Sequence, residues 1–388
     1  MKTSKRLLCL ALAVLMIMAL AACGNSGSAA PAAAPAAAPA AEAEAAAEPA
    51  AEAAAEPAAL WDQPAEFEKA LATMDLSGVV ADVEPLKKPL VMNTHCTEND
   101  SNYLYALAFK QAVETLSGGA MSVEVYANGQ LFGQADALQA VQQGTLDIAN
   151  SDTALLANYD PAAGVLDVPY LMKNREQAVR CVQDEEFAAF INKMIEPSDM
   201  HLLSILPLNF RNSLVKNMDI DSFDDFKGFI MRTPEAPHTI AAFEAFGATP
   251  TVIPSGEAYT SVQTGVADGL EGHAEYMVLQ KFYEVAKNYV QTQHVFTFTD
   301  YVMSGKVYNG LTDKQREVID AAAKQAQGVH IAYTANLYPA MYATLEANGC
   351  KITEIDRQPF VDATESYRNA YIEANNLQDL IAKVDSYE

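Results

Sequence analysis

Residues 141–147 read VQQGTLD and residues 262–268 read VQTGVAD, so the pattern V-Q-x-G-x-x-D occurs twice in this chain. In both copies a helical pattern ends at a glycine, and a strand pattern begins near the aspartate. Two interpretations are open. Either such junctions converge on similar residues, or the chain folds into two α/β lobes built on related plans. Two facing lobes would enclose a cleft, because ligands of open α/β sheets bind beyond the carboxyl ends of the strands.

Strand and helix patterns alternate on both sides of these segments. The strand patterns are LVMNTH (90–95), MSVEVYA (121–127), LDIANSD (146–152), FIMRTP (229–234), TPTVIP (249–254), VADGLEG (266–272) and YVQTQHVF (289–296). The helical patterns cover 102–119, 135–144, 238–248, 256–265, 274–288 and most of 312–349. Such alternation predicts an α/β protein with largely parallel sheets.

The N-terminus carries an export pattern. Lys2, Lys5 and Arg6 precede the apolar residues 7–22, a run shorter than the ~20 residues of a comfortable membrane span. The sequence Leu-Ala-Ala-Cys that ends at Cys23 resembles a bacterial lipobox. We therefore predict a signal peptide over 1–22 and lipidation of Cys23. An uncleaved anchor helix and an ordinary cleavage site are the alternatives.

A low-complexity segment rich in Ala, Pro and Glu follows. Without large apolar side chains it cannot offset the entropy cost of ordering, so we predict a disordered tether over 23–60. Residues 61–87 form an uncertain lead-in, in which 65–78 has the pattern of a short amphipathic helix. The working domain is then expected on the outer face of the cell membrane, or in the periplasm if the cell has an outer membrane.

The formal net charge of −25 at pH 7 argues against nonspecific binding to nucleic acid or to anionic surfaces. An anionic ligand would need a local positive pocket. After the signal segment the chain contains Cys96, Cys181 and Cys350, which allow one disulfide at most. Three free, buried thiols are the alternative.

Signatures of catalysis are absent from the sequence. It contains no G-x-S-x-G, no H-E-x-x-H and no paired-cysteine zinc pattern, and its six histidines are scattered. We therefore expect neither a metal nor a cofactor, and an exported enzyme is the less favoured function.

Arg232 closes the apolar run at 229–231. A buried guanidinium is costly unless a negative group meets it. From the residues alone, a carboxylate of the protein and a carboxylate of a ligand are equally good partners.

Several segments, in this order, resemble the solute-binding subunits of TRAP transporters (the DctP-type family). They are SGGAMSVEVYANGQLFGQADALQAVQQGTLDIA (117–149), GVLDVPYLM (164–172), FRNSLVKN (210–217), FDDFKGFIMRTP (223–234), FGATPTVIPSGEAYTSVQTGVADGLEG (246–272) and KFYEVAKNYVQTQH (281–294). The similarity covers roughly residues 89–335. It implies a non-enzymatic extracytoplasmic receptor that closes two lobes on a small organic acid and delivers it to a sodium-driven permease.

The resemblance also implies a two-lobe periplasmic-binding-protein fold, type II-like, with a ligand cleft between the lobes. Lobe 1 would comprise 88–209 and 299–336, and lobe 2 would comprise 210–298 and 337–388. A long helix would span both lobes. We expect a monomer whose partners are the ligand and the TRAP membrane subunits. A binding protein for an ATP-driven transporter or for a sensor kinase is the alternative.

Five residues match positions near the family's ligand. The resemblance implies that Arg232 clamps the ligand carboxylate, and that Arg211 contacts the ligand or holds Arg232 and the lobes in place. Asn93 and Asp152 match positions that contact ligands in some members, although Asp152 could instead cap a helix. Tyr170 matches an aromatic that lines the pocket or belongs to the core.

The sequence departs from the family's pattern at two positions. Gly272 stands where an asparagine commonly reaches the ligand, and His273 either replaces it or begins the next helix. Ser255 stands where many relatives have a stacking aromatic. Glu271 is expected to brace the cleft, and Tyr276 either reaches toward it or belongs to the core. The ligand's identity beyond its carboxylate is therefore left open.

Overall fold

The structure is a computed structural model that describes residues 62–387. The predicted signal peptide, Cys23 and the tether lie outside the described residues. The predicted lead-in helix is present as α1 (Gln63–Leu71), which Asp62 caps by accepting a hydrogen bond from the Ala65 N–H.

One sheet organises the described part of the chain. Its strands are β1 (Leu90–Asn93), β2 (Val123–Tyr126), β3 (Ile148–Asp152), β4 (Met200–Val215), β5 (Ile230–Thr233), β6 (Thr249–Val252), β7 (Gly269–Gly272), β8 (Asn288–Ser304) and β9 (Lys351–Thr353). They lie in the order β2-β1-β3-β8-β4-β7-β5-β6, and β9 pairs with β8.

Helices connect and cover these strands. After α1 they are α2 (Ser101–Leu116), α3 (Gln134–Gln143), α4 (Arg175–Gln183), α5 (Glu185–Ile195), α6 (Pro237–Ala245), α7 (Ser255–Thr264), α8 (Ala274–Leu279), α9 (Gly305–Gly310), α10 (Asp313–Ala347), α11 (Gln358–Ala374) and α12 (Gln378–Asp385). None of the helices in residues 62–387 is long and apolar enough to cross a membrane.

The sheet consists of two parallel groups joined by two long antiparallel strands. We call β1, β2 and β3 the first half-sheet, and β5, β6 and β7 the second half-sheet; the pairs within each are parallel. The strand β8 lies antiparallel to β3, and β4 lies antiparallel to β7. Because β4 and β8 pair with each other and each borders one half-sheet, the two lobes share a continuous sheet.

The repeated sequence pattern occupies equivalent positions in the two half-sheets. The helices α3 and α7 end at Gly144 and Gly265, whose φ angles of 79° and 80° lie in the left-handed region that glycine adopts without strain. The Asp147 carboxylate then accepts a hydrogen bond from the Val91 N–H of β1 at 2.9 Å.

In the second half-sheet the Asp268 carboxylate accepts a hydrogen bond from the Ile230 N–H of β5, also at 2.9 Å. Each aspartate therefore ties the strand that follows it to the central strand of its own half-sheet. The two segments are alike because they perform the same structural task.

The 35-residue helix α10 is the long helix that the resemblance implied. A capping box of Thr312 and Gln315 begins it, since each side chain accepts a hydrogen bond from the other residue's backbone N–H. It packs against α2, β4 and α8. The predicted lobe boundaries at 209/210 and 298/299 fall inside β4 and β8, where register shifts interrupt the pairing, and they stay a prediction.

Three expectations need correction. The sheet is mixed rather than largely parallel, because β4 and β8 run antiparallel to their neighbours; β4 was not among the predicted strands. The helix predicted over 274–288 ends at Leu279, since Lys281 adopts a positive φ of 54°. The three cysteines are free, buried thiols, so the disulfide alternative is wrong.

Candidate functional site

A cavity of about 540 Å³ lies where the two half-sheets face each other. We call it the cleft cavity. Residues that follow the carboxyl ends of β1 and β3 line one part of it, and residues at the ends of β5, β6 and β7 line another. It contains six of the residues singled out in the sequence: Arg211, Arg232, Asp152, Ser255, His273 and Tyr276.

Arg232 lies on β5 with 2% of its surface exposed. Its Nε–H donates to the Ile253 carbonyl oxygen at 2.8 Å, which fixes the plane of the guanidinium. No carboxylate of residues 62–387 forms an ion pair with it. The described part of the chain therefore leaves the two terminal nitrogens of Arg232 available for a ligand.

Arg211, on β4, is instead paired with a carboxylate of the protein. Its Nε and Nη2 groups each donate to the Glu271 carboxylate at 2.5 Å, a bidentate pair in which Glu271 is fully buried. The Nε2–H of His294 donates to the same carboxylate at 3.2 Å. Burial alone would raise the pKa of Glu271, but Arg211 and His294 hold it well below its usual value.

This bidentate pair connects the cleft cavity to the long central strands. Arg211 belongs to β4, Glu271 to β7 and His294 to β8, and the β4–β8 register shifts on both sides of Arg211. Glu271 itself does not line the cavity. Its observed contacts are those of a bracing residue, whereas Arg211 lines the cavity and retains an Nη1 group outside the bidentate contact.

Carboxyl groups line the first half-sheet's part of the cavity. Asp152 ends β3, and its side chain does not cap the following turn, so the capping alternative is wrong. Asp167 lies beside it and accepts a hydrogen bond from the Thr153 hydroxyl at 2.9 Å. Burial raises the pKa of Asp167 to about 7, with a smaller contribution from the charge of Asp152. The buried Thr297 hydroxyl also lies in the cavity wall without a hydrogen-bond partner in the described residues.

Tyr276 occupies the space that opens at Gly272. A Cβ placed on Gly272 would lie 2.9 Å from the Tyr276 ring, closer than real contacts allow. The Tyr276 hydroxyl meets the Ser255 hydroxyl at 2.7 Å. The two departures from the family pattern, at 255 and 272, are thus coupled through one tyrosine. His273 lies beside them, and burial lowers its pKa to about 3.

Three of the predicted ligand contacts do not line the cleft cavity. The Asn93 amide donates to the Phe132 carbonyl oxygen at 3.0 Å and accepts from the Leu131 and Phe132 N–H groups, so it anchors the loop that follows β2. Gly272 lies under Tyr276.

Tyr170, the third, faces away from the cleft cavity. Its hydroxyl donates to the Thr292 carbonyl oxygen at 3.0 Å, and its side chain borders a second, wider cavity of about 670 Å³ near α11.

Several cavity residues were not identified from the sequence. Asp167 lies in the segment GVLDVPYLM, whose resemblance to the family was the one available signal. Asp100, Asn102, Thr297 and Thr299 have no such signal, because distant parts of the chain bring them together. The described residues contain no cluster of His, Cys, Asp or Glu able to hold a metal ion.

A two-lobe α/β fold with a charged cavity between its lobes is compatible with a solute-binding receptor. The family model "Bacterial extracellular solute-binding protein, family 7" (DctP) matches residues 92–374. The chain belongs to this family of extracytoplasmic receptors.

Individual relatives agree with this assignment. The chain is 30% identical to the ectoine-binding periplasmic protein TeaA of Halomonas elongata, over 66% of this chain and 75% of TeaA. It is 23% identical to the sialic acid-binding periplasmic protein SiaP of Vibrio cholerae, over 76% of this chain and 91% of SiaP. A TRAP periplasmic solute-binding protein from a Bordetella species has a similar structure, with 28% identity and a TM-score of 0.72 over 78% of this chain and all of that one. These relatives are solute-binding receptors, not enzymes.

Proposed function

We propose that this protein binds a small organic acid through its carboxylate at Arg232 and delivers it to a TRAP-type permease. The observation that carries the proposal is the unpaired guanidinium of Arg232, which lies almost fully buried in the wall of the cleft cavity. A fork of this kind offers two parallel, charge-assisted hydrogen bonds to one carboxylate.

The relatives' ligands support this class. The SiaP protein is named for sialic acid, and the Bordetella protein's structure contains density assigned to pantoate; both are organic acids. The cavity of about 540 Å³ falls within the usual range for small-molecule sites, about 300–1,000 Å³. Arg211, Asp152, Ser255, His273 and Tyr276 would complete the site, and Glu271 would brace it.

A calorimetric titration of Arg232→Lys tests the clamp. Lysine keeps the charge but replaces the planar fork with a single ammonium, so affinity for the best acid of a thermal-shift screen should fall at least tenfold. The matched control is Arg180→Lys, an exposed arginine of α4 outside the cavity. Equal affinity of the wild type and Arg232→Lys would reject the clamp.

We also propose that the lobes close on the ligand, because a paired carboxylate in a dry cleft must exclude water from both sides. Small-angle scattering with and without the acid should show compaction, and identical curves would count against closure. Lipidation of Cys23 is a further proposal. It predicts that the wild type partitions into detergent and that Cys23→Ala does not; a wild type that stays in the aqueous phase would reject it.

A further inference from the structure

The charges that line the cleft cavity are unequal. Its lining residues include two arginines, 211 and 232, no lysine, and four acidic residues: Asp100, Asp152, Asp167 and Glu235. Of the two arginines, Arg211 is already neutralised by Glu271, an additional carboxylate behind the wall. One free guanidinium therefore shares the cavity with several carboxyl groups that form no ion pair with a described residue.

The positive and negative groups lie on different half-sheets. Arg232 belongs to β5 of the second half-sheet, and Asp152 ends β3 of the first. The Asp152 side chain makes no hydrogen bond or ion pair with residues 62–387. A ligand held at Arg232 by one end would therefore meet an unpaired carboxylate with another part of its surface.

Asp167 adds a second carboxyl group to the part of the cavity that Asp152 lines. One of its oxygens accepts from Thr153, and Arg211 is near enough to both Asp167 and Asp152 for their charges to interact. Because Glu271 already neutralises Arg211, each further carboxylate beside that arginine leaves the local net charge negative. A second carboxylate of a ligand would be repelled here, and like charges in a low-dielectric cleft repel strongly.

We infer that the ligand is a zwitterion: a monocarboxylate whose other end carries a protonated nitrogen that pairs with Asp152. This inference rests on the proposed function, since it assumes that Arg232 holds the carboxylate. The inference adds which chemical group of the ligand the Asp152 part of the cavity selects. An ammonium supplies donors to the unpaired Asp152 oxygens and offsets the excess negative charge, whereas a hydroxyl does only the first. A dicarboxylate does neither.

Matched ligands test the inference on the full chain. For carbon chains of four to six atoms, three straight-chain acids differ only in the terminal group: amino, hydroxyl or carboxylate. The six-carbon sugar acids gluconate, 6-amino-6-deoxygluconate and glucarate form a corresponding set, since they differ only at C6. Calorimetry should show the amino member of a set binding at least tenfold more tightly than the hydroxyl member, with the dicarboxylate weakest.

The variant Asp152→Asn should remove the preference for the amino member and strengthen binding of the dicarboxylate. The control Asp136→Asn, an exposed aspartate in the first turn of α3, should keep the wild-type order. Thermal denaturation of both variants confirms that they are folded.

The outcomes are distinguishable. If hydroxyl or dicarboxylate members bind as tightly as the amino member, or if Asp152→Asn leaves the order unchanged, the zwitterion inference is overturned and carboxylate binding stands. If no acid of any set binds the wild type, both this inference and the proposed function are overturned.

Discussion

The two half-sheets share a backbone arrangement but carry different side chains at the ends of their strands. Val91 of β1 and Ile230 of β5 each donate a backbone N–H to the aspartate of the repeated pattern. Counting two residues onward along each strand makes Asn93 and Arg232 equivalent. The side chains of both bond the backbone of the loop after the neighbouring outer strand, through Phe132 in the first case and Ile253 in the second.

The equivalent positions differ in how many of their polar groups have partners in the described residues. The amide of Asn93 forms three hydrogen bonds with backbone groups of the loop after β2, whereas Arg232 forms one and keeps its terminal nitrogens free of described partners. The same register makes Asn150 equivalent to Glu271, and Asp152 equivalent to His273. A shared scaffold therefore presents a free cation on one half-sheet and an unpaired carboxylate on the other.

The largest expected effect compares Glu271 with its counterpart Asn150. The Glu271→Gln variant leaves the buried Arg211 without a counter-charge and should lower the free energy of unfolding by about 3–5 kcal/mol. The Asn150→Ala variant removes neutral hydrogen bonds and should cost about 1–3 kcal/mol. Urea denaturation at pH 7 measures both, and equal losses would contradict the distinction.

The Glu271 effect also has a defined pH dependence. Its folded-state pKa lies below the ordinary value of 4.5, so the ionised pair stabilises the fold above that pH. The contribution is lost as the pH falls below 4.5, because the unfolded chain then binds the proton first. The difference in the free energy of unfolding between wild type and Glu271→Gln should therefore narrow between about pH 5.5 and pH 3.5 (about one unit either side of that value), and narrow further at lower pH.

The second comparison concerns ligand affinity. The Arg232→Gln variant should weaken binding of the best acid at least 100-fold, about 2.8 kcal/mol, because the carboxylate loses its charged fork. The Asn93→Ala variant should leave affinity within about threefold while lowering the free energy of unfolding by about 1–3 kcal/mol. Calorimetry and denaturation together separate the two roles. A large affinity loss in Asn93→Ala would return Asn93 to the ligand site.

A smaller effect tests the repeated junction itself. Asp147→Ala and Asp268→Ala each leave one strand N–H without its acceptor, at a cost of roughly 1–2 kcal/mol in the free energy of unfolding. Asp147 should lose more because it is buried, whereas Asp268 is half-buried. The losses should add in the double variant, since the sites lie in different half-sheets. Strong non-additivity would mean that the half-sheets do not act independently.

The smallest effect is expected at His273. Burial lowers the pKa of His273 to about 3, so the imidazole stays neutral from pH 8 to pH 5. His273→Gln should change ligand affinity by less than about threefold, ~0.7 kcal/mol, and by the same factor across that range. Titrations at pH 8 and pH 5 measure the ratio of variant to wild-type affinity. A tenfold change in that ratio would show that the imidazole gains a proton between these two pH values.

Local patterns predicted most short elements and one side chain of the site. The strands β1, β2, β3, β5, β6 and β7 occur where apolar runs and turn signals placed them. The strand β4 was missed because it contains Pro207 and lacks a clean alternation, and its pairing with the distant β8 stabilises it. Arg232 stood out because a charge closed an apolar run.

The sequence by itself determined the alternation of strands and helices, the two aspartate junctions and the presence of a buried arginine at a strand end. Only the tertiary structure decided which arginine is free. Glu271 lies 60 residues from Arg211 in the chain, yet it neutralises Arg211 and not Arg232. Whether a charge is paired depends on distances of a few ångströms between strands, and local sequence does not contain those distances.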